Sequence, residues 1–162
     1  MEQTKDVKAI VKNISQQLHN FYEGDGWVTW NFNKKILTLS PADAFKKVQG
    51  LSHHIAGQVA HLTAWRNFVT EKLSGNSKFD IKDNSTQDWP EPVDWDQVRE
   101  DFRVSQQRLL DAIAHFPAKN WNGTVPGRNY SFLFMVNGIL EHDYYHYGQI
   151  GVLLAAIRKI EA

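Results

Sequence analysis

The stretch Glu141-His142-Asp143-Tyr144-Tyr145-His146-Tyr147-Gly148-Gln149-Ile150 lies inside the longest helical pattern of the chain, from about Ser131 to Arg158. Four residues at 3.6 per turn advance about 400°, so His142 and His146 leave one side of the helix roughly 6 Å apart along its axis. With His142 at zero, Met135 falls at about +20°, Gly138 at about −40°, His146 at about +40°, Gln149 at about −20° and Leu153 at about +20°. The two histidines share the apolar stripe and are predicted to face inward. Buried imidazoles must be satisfied by hydrogen bonds or by a metal, since each unsatisfied buried polar group costs on the order of 1–3 kcal/mol. The stripe alone leaves two readings open, a pair of metal ligands or two hydrogen-bonded core histidines.

Outward from this segment, three more carry helical periodicity. Val7, Ile10, Val11, Ile14, Leu18 and Phe21 repeat at three and four, and Gly24 and Gly26 stop the pattern. A second long helix is predicted from about Ser52 to Leu73. A third opens at Asp94-Trp95-Asp96-Gln97, an N-cap with glutamine three residues on, and runs through Val98, Phe102, Leu109, Leu110, Ile113 and Phe116 to Pro117. Ser40-Pro41-Ala42-Asp43 starts a short extra helix expected to end near Gly50. Trp27 to Asn33 alternates apolar and polar residues but has no strand partner, so it reads as an ordered connection whose aromatics pack on the helices. Gly75 to Pro92 is polar and reads as a long surface loop between the second and third long helices. A further connection, Trp121 to Tyr130, contains Pro126-Gly127. The fold class is all-α, a four-helix bundle, and the 162 residues are expected to form one domain.

Composition narrows the function. Lys plus Arg equals Asp plus Glu at 18 each, so no basic field is available to neutralise nucleic-acid phosphates, and nucleic acid is not expected as a partner. The absence of cysteine excludes disulfides, thiolate zinc sites and a cysteine nucleophile, and suits a reducing cytoplasm. Any metal would be held by His, Asp or Glu. The amino end lacks a basic stretch followed by an apolar run, and no segment approaches the length of a membrane span, so a soluble, non-exported, cytoplasmic protein is expected.

A third imidazole comes from the second long helix. With His61 at zero, Trp65 lies at about +40°, Phe68 at about −20°, Gly57 at about −40° and His54 at about +20°, which puts His61 in the packed stripe. Gly57 one turn earlier lets a helix or a ligand approach. His54, roughly 10 Å away along the axis, is too far to share a metal with His61 and reads as pocket wall. His19, His53 and His115 read as ordinary surface or core histidines. Trp65 reads as an apolar wall, and Glu141 and Asp143, about 100° off the stripe on either side, as solvated or capping carboxylates.

These motifs carry a family resemblance. Gly50-Leu51-Ser52-His53-His54-Ile55 leading into Val59-Ala60-His61-Leu62-Thr63-Ala64-Trp65-Arg66, together with Gly138-Ile139-Leu140-Glu141-His142-Asp143-Tyr144-Tyr145-His146-Tyr147-Gly148-Gln149-Ile150, resembles the two signature helices of the DinB/YfiT-like superfamily of metalloenzymes. The likeness extends from about Tyr22 to about Ala156. It implies a four-helix bundle of unusual connectivity, often a homodimer, with one divalent metal, zinc or nickel, on three histidines. By matching position those are His61, His142 and His146.

Three histidines leave a coordination position for water or substrate, the arrangement of a catalytic site. Relatives of this kind include transferases that use low-molecular-weight thiols and a maleylpyruvate isomerase that uses mycothiol. The resemblance therefore implies a metal-dependent transferase or hydrolase acting on a small molecule, by thiol transfer or hydrolysis, with any thiol arriving as cosubstrate. Gln149, on the ligand stripe, and Tyr145, at its edge, are the candidate catalytic helpers. The alternatives are a metal-stabilised bundle without turnover that serves as a binding or stress-response module, and a small-molecule binder that uses the aromatic-rich connection.

Overall fold

The structure, a computed structural model, describes residues 2–24, 27 and 31–160. Over these residues the chain is all-helical: α1 (Glu2–Tyr22), α2 (Phe32–Lys35), α3 (Pro41–Ala44), α4 (Ile55–Leu73), α5 (Trp95–His115) and α6 (Phe132–Ile160), with a single 3-10 turn at Ala118–Asn120. The four long helices are those that the periodicity predicts. Extended pairing among the described residues is confined to an isolated bridge between Thr124 and Ser131.

Caps fix where the helices begin. Asp94 starts α5 by accepting from the backbone N–H of Asp96 at 2.9 Å and of Gln97 at 3.5 Å, while the Gln97 side chain turns away to donate to Asp101. Ser131 starts α6 by accepting from Phe134 N–H at 3.1 Å. The second long helix begins later than the expected Ser52, because His54 is extended and its Nδ1 accepts from Gly57 N–H at 2.9 Å. A neutral imidazole thus does the work usual for Ser or Asp. The short helix after Ser40 is a single turn and does not reach Gly50. Its Phe45 and Val48 turn onto the core instead, and Gly50, at φ +82°, redirects the chain toward α4.

Helix α4 is the centre of the bundle, packed chiefly on α5 and then on α6. It is buried on almost every side, so its polar residues are enclosed too and bond locally: Thr63 and Thr70 donate to the carbonyls of Val59 and Arg66, and Lys72 donates to those of Ser77 and Pro126. The apolar core has two parts. One gathers Phe21, Phe32, Ile55, Val59, Phe102, Ile150 and Leu154; the other gathers Leu18, Phe68, Val69, Leu109, Ile113, Val136 and Ile139, and Tyr144 packs against both. The connection after α1 docks through Phe32, whose ring lies 5.0 Å from Phe21 and 4.8 Å from Phe102. Trp27, also expected to pack, is 99 % exposed. Val28, Thr29 and Trp30 of the same stretch lie outside the described residues.

One contact fixes the register of α4 against α6. Arg66 donates through Nε and Nη2 to Asp143 at 3.0 and 2.7 Å, and both side chains are 0 % exposed. Burial pushes the Asp143 carboxyl up, and the Arg66 guanidinium opposes it. The guanidinium also lies 4.2 Å from the Phe102 ring centroid, a cation–π contact in a dry setting. Asp143 is thus not the solvated carboxylate its helical angle suggests. It is about 100° off the histidine stripe, but that direction leads to α4 rather than to water. Glu141, on the other side, is exposed and accepts from Asn137. Among the described residues, no helix is long and apolar enough to cross a membrane.

A candidate metal centre between α4 and α6

The register set by Arg66 and Asp143 brings His61 of α4 opposite His142 and His146 of α6. The Nε2 atom of His61 lies 3.0 Å from that of His142 and 3.1 Å from that of His146, and one nitrogen from each ring falls within 4.8 Å of the others. His61 and His146 are buried and His142 is half-buried. Imidazole nitrogens at about 2.0–2.1 Å from a first-row ion are separated by roughly 2.9–3.4 Å, so the two distances from His61 suit such an ion.

The outer nitrogens decide what the inner ones present. His61 Nδ1 lies 2.7 Å from the Asp88 carbonyl, which only accepts, so Nδ1 carries the proton and Nε2 a lone pair. The Asp88 carboxylate is 3.1 Å from the same nitrogen. His146 Nδ1 donates to Gln58 Oε1 at 2.7 Å, which leaves its Nε2 likewise free. Two lone pairs held together at 3.1 Å repel one another unless a proton or a cation lies between them, and partners on the outer nitrogens are the usual support of metal-ligating histidines. His142 is the exception: its Nδ1 is buried with no hydrogen-bond partner.

Electrostatics favour the neutral, ligating form of all three. Burial, then the neighbouring His146, His61 and Arg66, push His142 down to about 3. Burial and His61 push His146 down to about 4, against the opposing pull of Gln149 and Asp88. Burial also lowers His61, opposed by Asp88. The three rings are therefore neutral at pH 7.

The chain itself matches a family model, described as the DinB superfamily, over residues 29–150. The chain belongs to the DinB superfamily. No curated protein and no solved structure matches it. The match takes in the whole of α4, including His61, and the part of α6 that carries His142 and His146.

Around the three histidines, two clefts open. The first, of about 420 Å³, is lined by His61 and His146 with Gln58, Trp89, Tyr145 and Gln149. The second, of about 380 Å³, is lined by His61 and His142 with Trp65, Phe68 and Asp88. The two candidate helpers read from the sequence, Gln149 and Tyr145, thus both face the first cleft, Gln149 half-buried and Tyr145 exposed with its ring 5.0 Å from that of His146. Trp65 is the wall it is expected to be, with its ring 5.9 Å from His142. His54 lines neither cleft, being occupied with its cap.

Three neighbours of the triad escape the sequence reading. Asp88 and Trp89 come from the loop between α4 and α5, which is polar in composition yet reaches inward at this point. Asp88 accepts from Trp65 Nε1 at 2.8 Å and from Asn84 N–H at 2.8 Å, which ties the loop to α4. Trp89 lies flat on His61, centroids 3.8 Å apart and planes within 11°, and its other face carries His53 at 3.7 Å and 10°. His53, expected to be an ordinary histidine, is the outer layer of this three-ring column. A tryptophan inside a polar loop was the available signal, since an indole with nothing apolar beside it in sequence must find a surface elsewhere. Gln58, one turn before His61, was legible only as a polar residue on the buried helix.

Proposed function

We propose that this DinB-family chain is a divalent-metal-dependent enzyme, using zinc or nickel, that acts on a small molecule by thiol transfer or hydrolysis. The observation that carries the reading is the convergence of three neutral imidazoles, two of them with a free Nε2, beside two open clefts. A divalent ion held there would supply Lewis acidity, lowering the pKa of a thiol or of water or polarising a carbonyl. His61, His142 and His146 hold the ion. Asp88 and Gln58 keep His61 and His146 in the ligating tautomer, and the Arg66–Asp143 pair keeps the two helices in register. Trp89 covers one face of His61 and keeps water from it. Gln149 and Tyr145 stand at the first cleft, where an amide and a phenol can orient a polar substrate group or pass it a proton. Because the chain has no cysteine, any thiol enters as cosubstrate. The proposal includes a homodimer, read by sedimentation.

The test pairs metal analysis with a reaction screen. Purified untagged protein is expected to carry about one divalent ion per chain, and His61→Ala, His142→Ala and His146→Ala each to lose most of it. Electrophiles with several low-molecular-weight thiols, and amides and esters without thiol, are then compared between metal-loaded parent and His142→Ala. Metal retained by the triple-alanine protein overturns the site. Metal present with every remaining coordination position filled by protein side chains overturns the enzyme in favour of a metal-stabilised binding module.

A further inference from the structure

The two clefts that meet at the histidine triad differ in chemistry. In the first, Gln149, Ser52, His53 and Tyr145 offer polar atoms to an occupant. In the second, the walls are Trp65, Phe68, Tyr130, Phe134, Met135 and Ile139, and apart from the unpartnered Nδ1 of His142 its polar groups are already committed. Both carboxylate oxygens of Asp88 are used by Trp65, Asn84 and His61. The Tyr130 hydroxyl engages Arg128, and Arg128 is itself paired with Asp80. An ionised occupant would lose its hydration there against a single neutral imidazole nitrogen, which is unfavourable.

Gly138 forms part of the same wall. A glycine inside a long helix costs about 1 kcal/mol relative to alanine, so its presence needs a reason. No helix packs close against it, for a Cβ built at Gly138 meets nothing within 4 Å. Its effect is to leave open space between Phe134 and His142, one turn on either side. A cavity of 150 Å³ holds benzene, so the roughly 380 Å³ here suits one or two rings.

We propose that this second cleft, between Phe134 and His142, binds an uncharged aromatic compound of one or two rings as the electrophilic or hydrolysable substrate, with its reacting end at the His61–His142 edge. The inference rests on the metal-enzyme reading for the word substrate, but the binding it asserts does not require metal. Four aromatic rings supply stacking and edge contacts, and the two ligating histidines are the polar end of an otherwise apolar groove. The first cleft, with its polar lining, is left to the second reactant.

The experiment measures binding by calorimetry on metal-free and metal-loaded protein, with 1-naphthylmethanol as the uncharged probe and 1-naphthoate as its anionic counterpart. The alcohol is expected to bind saturably with a Kd below about 1 mM, and the carboxylate at least about tenfold more weakly to the metal-free protein. Gly138→Phe, which fills the cleft, should weaken the alcohol at least about tenfold, while Val152→Phe beside the first cleft leaves it unchanged. Phe134 is 65 % exposed, so Phe134→Asp keeps the fold and serves as a second variant, again with weakened binding. Absence of alcohol binding, equal binding of the carboxylate, or full binding by both Gly138→Phe and Phe134→Asp overturns the proposal. Metal content of the protein as purified separates the two readings: metal there without alcohol binding sinks the substrate class alone, and alcohol binding by a protein that neither carries nor takes up metal sinks the enzyme alone.

Discussion

Asp88 is where a loop residue sets the tautomer of a helix histidine. Its carbonyl accepts a hydrogen bond from His61 Nδ1–H, and its carboxylate is the anchor for Trp65 and for the Asn84 backbone, so the carbonyl is held in place by the side chain of the same residue. Asp88→Ala removes those anchors and leaves the carbonyl free to move. Metal affinity is expected to fall about 10–100-fold, the usual loss when a partner behind a ligating histidine is removed. Chelator competition measures it, with far-ultraviolet circular dichroism showing that the helices persist; an affinity within about twofold of the parent would mean that His61 needs no such support. His61, His142 and His146 are legible in the sequence because each sits on the packed stripe of its own helix. Asp88 and Trp89 are not, because a loop path has no period from which a direction can be computed, and Asp143 is misread because angle on one helix does not say which neighbour stands there.

At the scale of elements, α4 begins on a titratable cap. Burial lowers the His54 imidazole, opposed by Glu91 at 3.9 Å, while Lys47 and His53 act with burial. Only the neutral ring has a lone pair for Gly57 N–H. The unfolded chain, with an ordinary pKa of about 6.5, takes up the proton more readily than the folded one, so the stability contributed by the cap is complete above about pH 6.5 and is lost as the pH falls below it. His54→Asn keeps an acceptor at the cap and removes the titration. Its unfolding free energy should therefore fall less steeply than the parent's between pH 7.5 and 5.5 in urea titrations, and His54→Ala should cost about 1 kcal/mol at the upper pH. Identical pH slopes in parent and His54→Asn would show that the cap is indifferent to protonation. The sequence pattern puts this start at about Ser52; what decides it is the buried His54 ring, which three-dimensional packing alone supplies. The ends of α1, α5 and α6 are better anticipated because glycine, proline, aspartate and serine signal them directly.

For the whole molecule, the question is whether the triad builds the fold or the fold builds the triad. Two apolar clusters run the length of the bundle, and neither depends on the histidines for its contacts. The Arg66–Asp143 pair holds α4 and α6 together beside the site through protein groups alone. A buried pair of this kind is a poor source of net stability but a strong constraint on register, since any slip leaves a charge buried without its partner. That is why helix number and order were readable from apolar periodicity, whereas the register that makes a site of it was not. The balance of terms predicts a folded metal-free protein: a chain of this size supports its core without a metal staple, unlike small domains whose metal-binding energy is their folding energy. Chelation should leave the helical signal at room temperature unchanged and lower the melting temperature by an amount set by metal affinity and free-metal concentration, because an ion bound only by the native state stabilises it by mass action. Restoring zinc or nickel should recover the original melting temperature. Collapse of the helical signal on chelation would make the ion a structural element, and the open clefts beside it would then need an explanation other than catalysis.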